Sequence, residues 1–278
     1  MVKNAFPVNK ANPLIEIPKN IPQIGFLGGE QGKEINDSIR KDYKDFGVLK
    51  VGNYFEEVIE GSNPFYVVAV QDRLSSGINV ASQADLENAM RINVMDFRGT
   101  YEDTGLVLRT GGEPNGYLAR NLMKQVKERG LKRMPIMIPL RDLTLKIDQD
   151  SPYGLSFLLR DNPELIYASI LGKKDGFFVS TNEETGLPKK LGAGDRRLWT
   201  RQGGLSGLCL NRNLNLISNN DSLGYSDDVG RVVLVSTAEG GSQTFLNEKL
   251  IDLQKQKEFQ ITKINKKYEE ALKILNGK

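Results

Sequence analysis

The chain contains no histidine and only one cysteine, Cys209. Histidine is the usual general base near neutral pH and the commonest protein metal ligand, so Ser-His-Asp and Cys-His catalysis and His-based zinc sites are excluded. A lone cysteine can close no intramolecular disulfide and supply no two-cysteine active site. Carboxylate, lysine or tyrosine chemistry is what remains for an enzyme, so the chain reads as a binding protein, with a carboxylate or lysine enzyme as the weaker reading. An excess of one charge is missing too. The 38 Lys and Arg stand against 35 Asp and Glu, and a net charge of +3 gives no electrostatic footprint for nucleic acid or an anionic membrane. No stretch approaches ~18 consecutive apolar residues, so no membrane insertion is expected. The opening MVKNAFPVNKANPLIEIPKN lacks the apolar run of a secretory signal. These absences lead to an expected place in the cytoplasm or on a virion surface. No cofactor and no metal ion is expected.

What is present is enough apolar residue, 39% of 278, for one sizeable core with appendages. Pro7, Pro13, Pro18, Pro22 and Pro64 punctuate the first part, and residues 1–62 are read as an N-terminal extension or assembly arm. Phe65 to Val70 (FYVVAV) reads as a buried strand. Ser82 is placed to cap a helix through Asn93, with Asp85 at the dipole-favoured third position. Thr104 to Arg109 reads as a strand, and Asn115 as the cap of a helix from Gly116 to Arg129 that stops at Gly130. Beyond it the pattern is mostly β. Ile136 to Leu140, Leu143 to Ile147 and SFLLR are apolar runs, Asp148 to Gly154 is a turn, and Gly172 to Gly194 is a long loop. Residues 237–278 carry Leu246, Leu250, Leu253, Ile261, Ile264, Tyr268, Leu272 and Leu275 at helical spacing. That amphipathic helix either packs on its own domain or makes a homo-oligomer.

The stretch Leu205 to Val235 carries the strongest functional signal. Leu208, Leu210, Leu214 and Leu216 alternate with Cys209, Asn211, Asn213, Asn215 and Ile217, as in a strand with leucines on one face and amides displayed on the other. Asn is normally depleted in strands, so three successive outward Asn need a reason. A solvated edge or a turn-rich surface in an AT-rich genome, where Asn is common anyway, is the plain one. The functional one lies in the codon. Replacing the two leading adenines of an Asn codon reaches Ile, Ser, Tyr, Asp, Val, Gly and Cys but never a stop, and those residues stand at Cys209, Ile217, Ser222, Gly224, Tyr225, Asp227 and Val229.

With that pattern, the segment resembles the variable proteins of diversity-generating retroelements, whose C-type-lectin-like fold is mutated at template adenines. The closing GRVVLV, Gly230 to Val235, resembles the terminal strand of that fold and of the related formylglycine-generating family. The resemblance implies an α+β, C-type-lectin-like domain over residues 63–236, with its variable segment at 205–235. It further implies a ligand-contacting set of Cys209, Asn211, Asn213, Asn215, Ile217, Asn219, Asn220, Ser222, Tyr225, Asp227 and Val229. The ligand would be a protein or a cell-surface molecule. A structural virion or assembly subunit, with the Asn face as a subunit contact, is the alternative. The formylglycine-generating chemistry needs cysteines that this chain does not have.

Three further motifs are weak. GGEQGKE, Gly28 to Glu34, has the wrong spacing for a phosphate loop and reads as a turn. Glu113-Pro114-Asn115 matches the calcium-dependent sugar triplet of animal lectins but precedes a helix. Asp148 and Asp150 fit an ordinary turn better than a calcium site.

Overall fold

The computed structural model describes residues 23–236. Its first strand, β1 (Gln23–Phe26), pairs antiparallel with the last described strand, Val233–Ser236, placing Phe26 opposite Val233. Helix α1 (Gly29–Asp42) follows from the GGEQGKE glycines, so the expected turn is a helix start, and Ile35 and Ile39 are its buried stripe. Strands β2 (Asn53–Phe55) and β3 (Val58–Glu60) form a hairpin whose two loop residues, Glu56 and Glu57, both have positive φ. That is the backbone twist a two-residue hairpin demands. Leu27, Leu49 and Ile59 are buried in the same core as the later helices. The compact unit therefore begins near Pro22 rather than at residue 63, and residues 23–62 are part of the domain, not an arm.

Helix α2 (Pro64–Gln71) replaces the strand expected for FYVVAV. A short, wholly apolar run fits either element, and burial on every side removes the periodicity that would tell them apart. The deciding signal is local. Asn63 accepts the Tyr66 amide at 2.8 Å as an N-cap, and Pro64 occupies the first turn, where its missing N–H costs nothing. Strand β4 (Ile78–Val80) leads into α3 (Gln83–Arg91), which has the expected Ser82–Asp85 capping box. Strand β5 (Tyr101–Leu108) and α4 (Gly116–Glu128) lie where the sequence places them, and Gly130 follows with φ +81. Then come β6 (Ile136–Pro139), the hairpin of β7 (Leu143–Ile147) and β8 (Leu155–Leu159) around the Asp148–Gly154 turn, and β9 (Ile166–Tyr167). The long loop from Gly172 holds β10 (Gly176–Phe178). The remaining strands are β11 (Arg196–Trp199), β12 (Leu205–Leu210), β13 (Leu216–Asn220), β14 (Gly230–Arg231) and β15 (Val233–Ser236).

The fold is α+β. The main sheet runs β10-β11-β13-β12-β5-β6-β9, with β14 joined to the start of β5, and it curls into a half-barrel. A smaller sheet orders β1-β15-β4. Apolar residues fill both faces of β5: Leu106 and Leu108 face a core with α2 and α4, while Val107 faces a second core with Leu86 of α3. A strand buried on both faces reads as a continuous apolar run. Among the described residues no helix is long and apolar enough to cross a membrane. The expected C-terminal helix, 237–278, lies outside the described residues.

Arg109, just past β5, is buried at 4% exposure, and no carboxylate among the described residues pairs with it. Neutral acceptors satisfy its guanidinium. Nε donates to Leu171 O at 2.8 Å, Nη1 to Ser206 Oγ at 2.8 Å, and Nη2 to Ser218 O at 2.7 Å and Thr200 Oγ1 at 3.0 Å. Burial pulls its pKa down to about 10, so it remains a cation at neutral pH.

Asn63 is a second buried polar joint. It caps α2 and also donates from Nδ2 to Val48 O at 2.9 Å and Gly224 O at 3.1 Å. Asn63→Ala removes the cap and strands two carbonyls, so urea unfolding is expected to show a loss of ~2 to 4 kcal/mol. A loss below ~0.5 kcal/mol would mean that water replaces all three bonds.

Candidate recognition surface

The alternating segment is a hairpin rather than one strand. β12 and β13 pair antiparallel, with Cys209 opposite Ile217 and Leu210 opposite Leu216. Asn211 to Asn215 makes the turn between them. The Asn211 side chain accepts the amides of Asn213 at 3.0 Å and Asn215 at 2.9 Å, and Leu214 takes positive φ, +61. Leu208, Leu210 and Leu216 are buried as expected, and Leu214 rests half-buried on the second core from within the turn. The leucine alternation therefore continues through a reversal of the chain. Asn211 is occupied in closing that reversal, and Asn213 is exposed at the tip.

Ile217 and Asn219 point to the face opposite the second core. On that face Trp199 lies beside Ile217 across β11–β13, and Phe177 beside Arg197 across β10–β11. The Arg197 guanidinium carbon sits 3.5 Å from the Trp199 ring centre and 5.6 Å from that of Phe177, and Asp175 lies 3.5 Å from Arg197. Helices α2 and α4 cover this side of the sheet at β5, but its end at β10, β11 and β13 is open, leaving Phe177 47% exposed. Asn215, expected to be displayed, instead uses Oδ1 to accept the Arg197 amide at 2.6 Å, locking β13 to β11. Phe177, Arg197 and Trp199 lie outside the alternating segment from Leu205 to Val235 and belong to no motif. The period-2 pattern of RRLW, with Leu198 buried and its neighbours turned outward, is the signal that could have found them.

The chain from Asp221 to Val229 forms a loop beside this face. Leu223 anchors it in the first core, while Tyr225 is 62% exposed and Ser222 is exposed. Asn220 accepts the Ser222 amide and Asp227 the Val229 amide, both at 3.1 Å, so these two side chains shape the loop itself. From below, Ser226 Oγ accepts the Ser62 amide at 2.8 Å and Tyr101 donates to Ser62 O at 2.5 Å. Asn115 also works here. It sits at the start of α4 in a left-handed conformation, makes no side-chain cap, and donates to Leu205 O and Asp221 O, both at 2.9 Å.

Cys209 lies under that loop. It is 7% exposed, not displayed, because β12 is buried along its whole length on both faces. Burial, with Asp103, Glu102 and Asp227 nearby, pushes its thiol well above the ordinary range, which leaves it a neutral packing group. Beside it, burial raises Asp103 from 3.8 to about 7 and Glu102 from 4.5 to about 8. Ser62 Oγ donates to Asp103 at 2.7 Å and Thr100 Oγ1 to Glu102 at 2.5 Å, and Glu102 Oε2 has no hydrogen-bond partner. Arg231 partly offsets the Glu102 shift and Asp227 adds to that of Asp103.

The other motifs resolve locally. Asp148 accepts from the Tyr117 hydroxyl and from the Asp150 amide, as a turn residue does. Glu113 accepts the Gly116 amide at 3.4 Å. Among the described residues no group of three Cys, Asp or Glu is placed to hold a metal ion.

The raised carboxyls set the pH dependence. Each holds its proton more tightly folded than unfolded, so its stabilising contribution is complete below the unfolded values of 3.8 and 4.5 and is lost as pH rises through about 7 and 8. Unfolding midpoints measured between about pH 5 and 9 should therefore fall with rising pH, and Glu102→Gln with Asp103→Asn should flatten that slope. A slope unchanged in the double variant would assign the titration to other groups.

No protein-family model matches the chain, and no curated protein or solved structure matches it either.

Proposed function

We propose that the protein is a non-catalytic binding protein whose diversifiable recognition surface is the open end of the half-barrel, in the manner of retroelement variable proteins with a C-type-lectin-like fold. The observation that carries this reading is a division of labour within one hairpin and its following loop. Leu208, Leu210, Leu216 and Leu223 are fully buried, whereas Asn213, Asn219, Ser222 and Tyr225 are exposed on the hairpin tip, the open face and the adjoining loop. Ile217 joins them half-buried beside Trp199. These outward positions hold Asn or its one-step relatives and support no neighbour through side-chain hydrogen bonds, which is what tolerance of substitution requires. The Gly230–Val235 segment enters β14 and the central strand of the small sheet, a placement that suits the terminal strand of the proposed fold.

The contact set is accordingly narrower than the codon pattern alone implies. Cys209 is covered, and Asn211, Asn215, Asn220 and Asp227 have backbone partners that fix the display. The working surface is Asn213, Ile217, Asn219, Ser222, Tyr225 and Val229, framed by Phe177, Arg197 and Trp199. Tyr225 and Trp199 supply rigid amphipathic contact area and the amides and hydroxyl supply adaptable hydrogen bonds, the division used by antibody paratopes. The expected partner is a protein or a cell-surface molecule.

Two measurements test the reading. Sequencing the flanking locus is expected to reveal a reverse transcriptase gene and an imperfect repeat of the segment encoding Leu205 to Val235, with differences at adenines of the repeat. Their absence removes diversification from the proposal. In unfolding experiments Asn213→Tyr, Asn219→Asp and Tyr225→Ser should stay within about 0.5 kcal/mol of the parent. Leu216→Ala should cost ~2 to 5 kcal/mol and Asn215→Ala ~1 to 3 kcal/mol. Losses at Asn213 and Asn219 as large as at Leu216 would make the face structural and end the recognition reading.

A further inference from the structure

A concave surface lies where β9 and the segment after it meet the loop that follows β10. It is a groove of about 710 Å³, a volume in the range of ligand sites. Its floor is apolar: Ile166, Ile170 and Leu191 are only partly buried and rest on the second core. Three cations line it, Lys173 from one wall and Lys189 and Lys190 from the other, and none of the described lining residues is Asp or Glu. Beside it Arg133 stacks 5.9 Å from the ring centre of Tyr167, which is 49% exposed. In a chain of nearly balanced charge, that run of one sign over an apolar floor is a local feature.

The far wall is preorganised. Asn182 Oδ1 accepts the amides of Glu184 at 2.8 Å and Thr185 at 3.1 Å, its own amide donates to Leu187 O, and Gly186 N donates to Asn182 O, both at 2.8 Å. Gly186 has φ +67 and packs so closely that a Cβ there would meet the Gln83 backbone at 2.5 Å, fixing the loop against α3. Behind it Thr181 donates to Glu87, which Arg196 clamps with two bonds of 2.6 and 2.7 Å. A wall held this way loses little conformational entropy on binding.

We infer that this groove docks an acidic, partly apolar peptide segment of another protein. Charge complementarity selects the acid, and the floor selects apolar side chains between the acidic ones. Ammonium groups on two opposed walls match several carboxylates spaced along a chain better than the single head of a lipid. Ser169 and Thr185 add hydroxyls that suit backbone amides and carbonyls. The groove shares no residue with the recognition surface, so the inference stands independently of that reading.

The test uses the full chain and a fluorescein-labelled octapeptide of alternating Glu and Leu, read by anisotropy, with the Gln-Leu octapeptide as its neutral counterpart. Saturable binding of the acidic peptide is expected, weaker at higher salt. It should weaken by about tenfold or more in Lys189→Glu/Lys190→Glu and in Lys173→Glu, the same result from opposite walls. These lysines are exposed, so the variants should keep the parental circular dichroism spectrum and unfolding midpoint. Trp199→Ala should bind the peptide unchanged. The inference is overturned if the acidic peptide does not bind, if the neutral peptide binds as well, or if charge reversal leaves affinity intact. Dodecanoate binding more tightly than the peptide and displacing it would assign the groove to a lipid carboxylate instead.

Discussion

The rest of the structure depends on one buried cation. Taking a guanidinium out of water costs several kcal/mol even after relaxation, and Arg109 has no carboxylate to offset this. What offsets it is a complete set of charge-assisted hydrogen bonds to oxygens on four pieces of chain: the segment after β9, the end of β11, β12 and β13. Ser206 Oγ donates to Ser218 O and Ser218 Oγ to Trp199 O, so the acceptors are themselves tied together. Each bond is worth making only if all are made, because a half-satisfied buried network is worse than an apolar one. The strands of the half-barrel are thereby held in one arrangement from the inside. The outer face of the same strands is left with no structural duty at Ile217 and Asn219.

That division explains which parts of the fold were legible in the sequence. Elements fixed by local chemistry read correctly: the Ser82–Asp85 capping box, the glycine stop after α4, the Asp148–Gly154 turn and the alternating β7. Elements fixed by tertiary burial did not. FYVVAV has the composition of a strand, yet it forms a helix because it is enclosed on all sides and because Asn63-Pro64 starts a helix in front of it. Residues 23–62 read as an arm because the prolines lie before them and their glycines hide short elements whose core contribution is a few scattered residues, Leu27, Ile35, Ile39, Leu49 and Ile59.

The hairpin shows a subtler failure of the same kind. Period-2 alternation is blind to chain reversal when the turn contains an odd-numbered detour that restores the phase, and Leu214 in a left-handed conformation does this by returning its side chain to the core. Asn is also the residue that such turns select, since its side chain closes on the amide two residues ahead and tolerates positive φ. Asn211 and Asn220 follow that rule. Part of the Asn pattern is thus turn chemistry, and it is the folded backbone that sets those amides apart from Asn213 and Asn219. Equally, Phe177 and Trp199 belong to one surface through the pairing of β10, β11 and β13, a proximity that no local pattern encodes.

A surface that is to vary must sit on a backbone whose stability does not come from the varying side chains, and most substitutions destabilise. Here the loop and hairpin obtain their shape from groups beneath them: Asn63, Asn115, Tyr101, Ser62 and Ser226 hold main-chain atoms or one another. Main-chain partners are indifferent to the side chain displayed above them. Against this, the same under-layer contains Asp103 and Glu102, whose burial costs stability as pH rises. The cost falls on β5, the strand with neighbours on both edges and a core on each face, which is the part of the fold best able to bear it. Strain of this kind on a central strand leaves the displayed end free to change, whereas the same carboxyls placed at β10 or β11 would couple every outward substitution to the stability of the edge.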